Sequence, residues 1–279
     1  MKWSFKIGRL LGIDVFLHGT FVLVLAFIAV SHWLAHGSIG AVIQGAGFFL
    51  ALFGCVLLHE YGHALMARRF GIATRDITLL PIGGVAALRT IPENPWHEIA
   101  ITVAGPLMNL IIACVLLPFT GLPREFLLVH YPHNFAGLLN TLVGVNLGLF
   151  AFNFIPAFPM DGGRLLRAVL ALFVTYRRAT VVAATVGQGL AIVFILAGLK
   201  FSVMWVVLGA FIFFAAEGEE KAVKMRSLLR EVEVADVMAR DFVTLTPGSP
   251  LRDALAVMYR TGQDDFPVVE QDRLVGLLT

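Results

Sequence analysis

The 279-residue chain is 58% hydrophobic and 14% charged, with a mean hydropathy of +0.83 and a formal net charge of +2. A soluble domain carries about 25% charged residues, so the composition excludes an ordinary soluble globule and makes a polytopic membrane protein the default. Nothing in the near-neutral balance points to nucleic acid, and none is expected as a partner. Cys55 and Cys114 both fall in apolar stretches, so no disulfide framework is indicated.

Met1 to Gly12 is basic and mixed, without the short apolar core and small-residue cleavage site of a removable signal peptide. Six apolar spans follow, at Val15 to Trp33, Gly45 to Phe70, Ile99 to Phe119, Phe135 to Ile155, Ala179 to Leu199 and Val203 to Ala216. Leu165 to Val174 is apolar but too short to cross, and reads as a buried or interfacial helix. Between the second and third spans, Asp76 to Ala86 reads as two short strands about a Pro/Gly turn, a membrane-associated β-hairpin. The fold class expected is therefore an all-α polytopic membrane protein of about six transmembrane helices with that hairpin, plus a small cytosolic α/β module.

Lys and Arg set the orientation. An alternating six-span model puts Lys2, Lys6, Arg9, Arg68, Arg69, Arg75, Arg89, Arg164, Arg167, Arg177, Arg178, Lys221, Lys224, Arg226 and Arg230 on one side. Only Arg124 and Lys200 fall on the other. This predicts a multi-pass cell-membrane protein with both termini in the cytoplasm.

The second span contains His59-Glu60-Tyr61-Gly62-His63. HExxH on a helix puts two imidazoles on one face, as a divalent metal needs, with the Glu placed as general base on a metal-bound water. His59 lies about 21 Å into its span at 1.5 Å per residue, and ionisable groups at such depth are costly and usually functional. A catalytic zinc needs a third protein ligand and an open position. The best candidate is Asp161, in Asn153-Phe154-Ile155-Pro156-Ala157-Phe158-Pro159-Met160-Asp161-Gly162-Gly163, where prolines and glycines break the end of the fourth span. Its alternative role is an N-cap for the next helix. Asn153 contacts substrate carbonyls or bonds the broken helix end. Cys55 faces the metal or is a small buried thiol. His18 lines the cleft, supports a metal ligand from behind or packs between helices, His32 and His36 are interfacial, His130 and His133 lack ligand spacing, and Gln188 reads as interhelical glue.

The motifs HEYGH, Ala104-Gly105-Pro106-Leu107-Met108-Asn109 and NFIPAFPMDGG resemble, in order, those of the site-2 protease family of intramembrane metalloproteases, over about residues 1 to 220. The resemblance implies one catalytic zinc ion on His59, His63 and Asp161, and Glu60 as the catalytic base. It implies cleavage in or near a transmembrane segment of a membrane-protein substrate in the lipid bilayer. It also implies substrate binding by Gly83 and Gly84 of the hairpin and by Asn109 and Asn153. The competing readings are a divalent-metal transporter and a non-catalytic membrane scaffold. A different membrane zinc protease would take a downstream Glu as ligand, from Glu217, Glu219 or Glu220.

Residues 221–233 are charged and helix-forming, a linker. From 234 to 279, Asp236-Val237-Met238, Val243 to Pro247, Pro250 to Leu255, Phe266 to Val269 and Leu274 to Thr279 resemble a CBS domain. The module is expected to be partial, because the family pattern would continue past Thr279. The resemblance implies adenine-nucleotide binding at a complete CBS pair, and pairing of modules fits a homodimer.

Overall fold

The computed structural model describes residues 3–81, 83–88, 92, 94–120, 135–229 and 233–279. It divides into two compact units, residues 1–225 and 226–279. Of the residues expected to set the orientation, Lys2, Arg89, Arg124 and Arg230 lie outside those described, as do His130 and His133.

The first unit opens with a β-hairpin, β1 (Ser4–Leu10) and β2 (Ile13–His18), joined through Leu11 and Gly12 at φ 52° and 86°. Positive φ at both turn residues is the geometry that matches the twist of a two-residue hairpin. Ile13 and Val15 are buried and alternate with Asp14, which reaches Lys6 Nζ at 2.7 Å on the outer face. The first apolar span therefore starts four residues later than hydropathy suggests. His18 ends β2 and caps α1 (Gly19–His36), its ring accepting from the Thr20 backbone N–H. Ser38 caps α2 (Ile39–Arg69), whose 31 residues run about 46 Å at 1.5 Å per residue.

Two further strands follow, β3 (Thr74–Leu80) and β4 (Gly83–Leu88). They form the expected hairpin, whose turn residue Ile82 lies outside the described residues. Instead of standing alone, the hairpin extends a four-stranded sheet of order β1-β2-β3-β4. β2 and β3 pair in parallel, Val15 opposite Ile77 and Leu17 opposite Leu79. A parallel pair needs a long crossover, and α1 with α2 supplies it. The sheet packs Ile13, Val15 and Ile77 against Tyr61 and Ala64 of α2. The Tyr61 hydroxyl donates to the Leu10 carbonyl at 3.0 Å and Arg68 to that of Leu11 at 3.0 Å. The HExxH half of α2 is thus fixed on a sheet.

α3 (Pro95–Thr120), α4 (Phe135–Asn153), a short α5 (Asp161–Leu170), α6 (Tyr176–Phe201) and α7 (Val203–Leu229) complete the unit. Residues 154–160 turn back into the bundle. Ala157 and Met160 pack on Ala191 and Ile212, and Phe158 on Ala183, Ala184 and Ala216. Small residues on α6 and α7 allow this close approach. Among the described residues, α1, α2, α3, α4 and α6 have the length and hydropathy to cross a membrane. The sixth expected span is the first half of α7. Its apolar part, 203–216, covers about 21 Å of the ~30 Å hydrocarbon core before Glu217, Glu219 and Glu220 continue the helix.

The second unit holds α8 (Val234–Val237), α9 (Leu251–Thr261) and the hairpin β5 (Phe266–Glu270) and β6 (Arg273–Leu278). Leu245 bridges in parallel to Val268, and the Gln263 amide bonds both backbone groups of Val243 at 2.9 Å. Ala254 and Phe266 are its buried apolar residues among those described, while Leu251, Leu274 and Leu277 are exposed.

Candidate metal centre

His59 and His63 stand one turn apart on the buried side of α2. Asp161 is the first residue of α5. The N-cap position is Met160, so the Asp161 carboxylate is free of capping and turns to the histidines. Asp161 Oδ2 lies 3.2 Å from Nε2 of each ring, and the two Nε2 atoms are 3.1 Å apart. A tetrahedral zinc with bonds of about 2.0–2.1 Å separates its ligand atoms by about 3.3 Å, so this nearly equilateral triangle fits such an ion. Three donors leave a fourth position open. Burial pushes the Asp161 carboxyl up, but the His63 and His59 rings beside it more than offset this and hold it well below the usual carboxylate range. Among the described residues this is the one group of three His, Cys, Asp or Glu side chains arranged to hold a metal.

Both rings are held from behind. His63 Nδ1 donates to the Ile101 carbonyl at 2.7 Å, next to Thr102, whose carbonyl loses its helical partner at Pro106. His59 Nδ1 donates to Asn109 Oδ1 at 2.5 Å. A partner on Nδ1 presents Nε2 to the metal and fixes the ring plane. Gly105 lets α3 reach this close, since a Cβ there would fall on the His63 imidazole. Gly84 of β4 does the same for Glu60, whose side chain occupies the space a Cβ at Gly84 would take. The base candidate is thus packed against the strand at one end of the sheet.

The structure therefore brings together His59, Glu60, His63, Asp161, Gly84 and Asn109. Gly83 lies next to Gly84 on β4 at φ 143°. Asn153 is the half-buried last residue of α4. Asn109 is fully buried and both ends of its amide are committed, to His59 and to Asn146. These two contacts hold the His59 ring from behind. Cys55 accepts from Asn146 at 3.3 Å and stands outside the ligand triangle. His32 bonds the Ile28 carbonyl of its own helix. None of Glu217, Glu219 and Glu220 joins the site. Glu217 pairs with Lys221, Glu220 with Lys224 and Glu219 with Arg167.

That last pair belongs to a buried ion cluster absent from the expectations. Arg167 of α5 gives Nε and Nη2 to Glu98 of α3 at 2.9 and 2.5 Å, and Nη1 to Glu219 of α7 at 2.5 Å. Its guanidinium also lies 5.0 Å from the Tyr176 ring and 5.3 Å from that of Phe158. Burial pushes the Arg167 pKa down, but Glu98 and Glu219 outweigh it and keep the group charged. The cluster ties α5, and with it Asp161, to α3 and α7.

An HExxH pair and a distant carboxylate, buried among helices able to span a bilayer, define a metallopeptidase centre built into a membrane protein. Comparison with known proteins agrees. The family model for Peptidase family M50 matches residues 47–125, and that for the CBS domain matches residues 234–279. A zinc metalloprotease of Methanocaldococcus jannaschii is 36% identical over 100% of this chain and 78% of its own length. The Rip3 protein of Mycobacterium tuberculosis is 32% identical over 98% of this chain and 73% of its own. The solved structure of the site-2 protease from Methanocaldococcus jannaschii superposes with a TM-score of 0.56 at 35% identity, covering 86% of this chain and 100% of that one. The chain belongs to peptidase family M50, the site-2 proteases, and carries a CBS domain at its C-terminal end.

Proposed function

We propose that the chain is an intramembrane zinc endopeptidase that hydrolyses peptide bonds in or near transmembrane segments of membrane-protein substrates, as in regulated intramembrane proteolysis. One observation carries this reading. The His59–His63–Asp161 triangle is built inside apolar helices, and the neighbouring Glu60 packs against β4, the strand at one end of the sheet. Zinc held by the three residues supplies acidification of a water toward pKa ~7 and stabilisation of negative charge on the scissile carbonyl oxygen. Glu60 accepts the proton of the attacking water and delivers it to the leaving amine. Ile101 and Asn109 keep both imidazoles in register.

A substrate helix hides its carbonyls in its own hydrogen bonds and must unwind before attack. The outer edge of β4 offers replacement bonds to an extended segment, with Gly83 and Gly84 beneath it and Asn153 reaching a substrate carbonyl. The Lys and Arg distribution supports both termini in the cytoplasm. We assign residues 1–220 to the protease domain, 221–233 to a helical linker and 234–279 to the CBS module. The sparse core and exposed leucines of that module support pairing with a second module in a homodimer, with adenine nucleotide bound at a complete pair. The test is to incubate the purified protein in detergent with a single-span reporter and map the products by mass spectrometry. The reading requires a cut within the apolar segment or beside it. Cleavage confined to a distant soluble flank would sink it.

A further inference from the structure

Behind the ligand triangle runs a file of polar side chains with a single direction. Asn109 of α3 and Asn146 of α4 have no exposed surface, and both sit in helices whose neighbours are apolar, where an amide is costly unless its groups are satisfied. A His59 that offers Nε2 to a metal carries its proton on Nδ1, and that proton goes to Asn109 Oδ1. Asn109 Nδ2 then donates to Asn146 Oδ1 at 3.0 Å. Asn146 Nδ2 donates to the Leu142 carbonyl at 2.8 Å and to Cys55 Sγ at 3.3 Å. The far end decides the direction. A backbone carbonyl only accepts, so Leu142 O selects the amide nitrogen of Asn146. Asn146 then turns its oxygen to Asn109, and Asn109 turns its oxygen to His59.

We propose that Asn146 is a positioning residue of the metal centre. Anchored on the Leu142 carbonyl, it holds the Asn109 amide with its oxygen toward His59, and so keeps His59 in the tautomer that presents Nε2 to the metal. Without Asn146, the Asn109 amide is free to turn and set its nitrogen against Nδ1. The favoured proton position then becomes Nε2, on the metal side. The inference rests on the metal-site reading above and extends it to a residue on a third helix that touches no ligand.

The experiment is a zinc affinity measurement by chelator competition on the full chain in detergent. Wild type, Asn146→Leu, Asn109→Leu and the double variant are compared. Loss of an outer partner of a metal ligand typically weakens metal binding 10–100-fold. Asn146→Leu is expected to bind zinc about 10-fold more weakly. The double variant should be no weaker than Asn109→Leu alone, because Asn146 acts only through Asn109. If Asn146→Leu does not fold, Asn146→Ser serves instead. Its hydroxyl can bond the Leu142 carbonyl within the helix but is too short to reach Asn109, and the same loss is expected. Wild-type affinity in either Asn146 variant would overturn the proposal while leaving the metal reading intact. Independent, additive losses in the double variant would also overturn it, since they mark a packing role. A wild type that binds no zinc would overturn the metal reading and this inference together.

Discussion

Gly105→Ala adds one methyl group at the point where α3 meets His63. The new Cβ would fall on the imidazole, meeting Nε2 and Cε1 and lying 2.7 Å from Cδ2. Carbon atoms settle at about 3.5–4.0 Å, so the ring has to retreat by about 1 Å. Two features stop the helices from parting instead. His63 Nδ1 is bonded to Ile101 on α3 itself, and Gly62 of α2 lies directly on Ala104 and Gly105. Metal bonds tolerate departures of about 0.2 Å, so a retreat of this size takes Nε2 out of bonding range. Overpacking costs about 1–3 kcal/mol. Placed at the upper end on the metal-bound geometry, that is a loss of about 100-fold in zinc affinity, at 1.4 kcal/mol per tenfold. Chelator competition measures the affinity, and a melting curve of the metal-free protein shows whether the fold persists. A folded Gly105→Ala that binds zinc like wild type would refute the claim that α3 seats the His63 ring.

Gly84→Ala presses on the flexible end of Glu60 instead of on a ligand. Zinc content should stay at the wild-type level while the cleavage rate falls by about 10–100-fold, less than complete loss of a general base would cost. Asp161→Ala should deplete zinc in the purified protein, and Glu219→Ala should not. Metal analysis of the two separates this ligand set from one using a downstream glutamate. Arg167→Met strands the buried Glu98 carboxylate and should destabilise the fold by about 3–5 kcal/mol. Arg167→Met with Glu98→Leu should recover most of that, read by unfolding in denaturant.

The parts legible in the sequence share one property, a local signal. HExxH declares itself because the helical period puts His59 and His63 on one face. Asp161 stands out because two prolines just before it and two glycines just after it interrupt an apolar run. The β3–β4 hairpin shows in the Pro/Gly turn of residues 81–84. What escaped depends on distant partners. β2 merges with the first span in any hydropathy profile, since Ile13, Val15 and Leu17 are as apolar as a helix, and β1 lies in the basic, mixed stretch before it. Only pairing with β3, some sixty residues on, reveals the sheet. Arg167 counts toward orientation in the sequence, yet its partner Glu98 is 69 residues away and the pair is buried. Asn146 did leave a trace, an amide within an apolar span. Its meaning lies in a contact with Asn109, 37 residues away on another helix. Asn109 itself sits in a motif whose family resemblance implies substrate contact, while its contacts lead to His59.

In the proposed mechanism, Glu60 works on water at a zinc held by His59, His63 and Asp161. It is tested most directly by comparing wild type with Glu60→Gln, reconstituted in detergent with a membrane-spanning reporter. Cleavage and bound zinc are measured in both. About one zinc per chain is expected in each protein, with cleavage abolished or reduced by at least about 100-fold in Glu60→Gln. Equal cleavage by the two proteins, or cleavage by wild type without bound zinc, would contradict it.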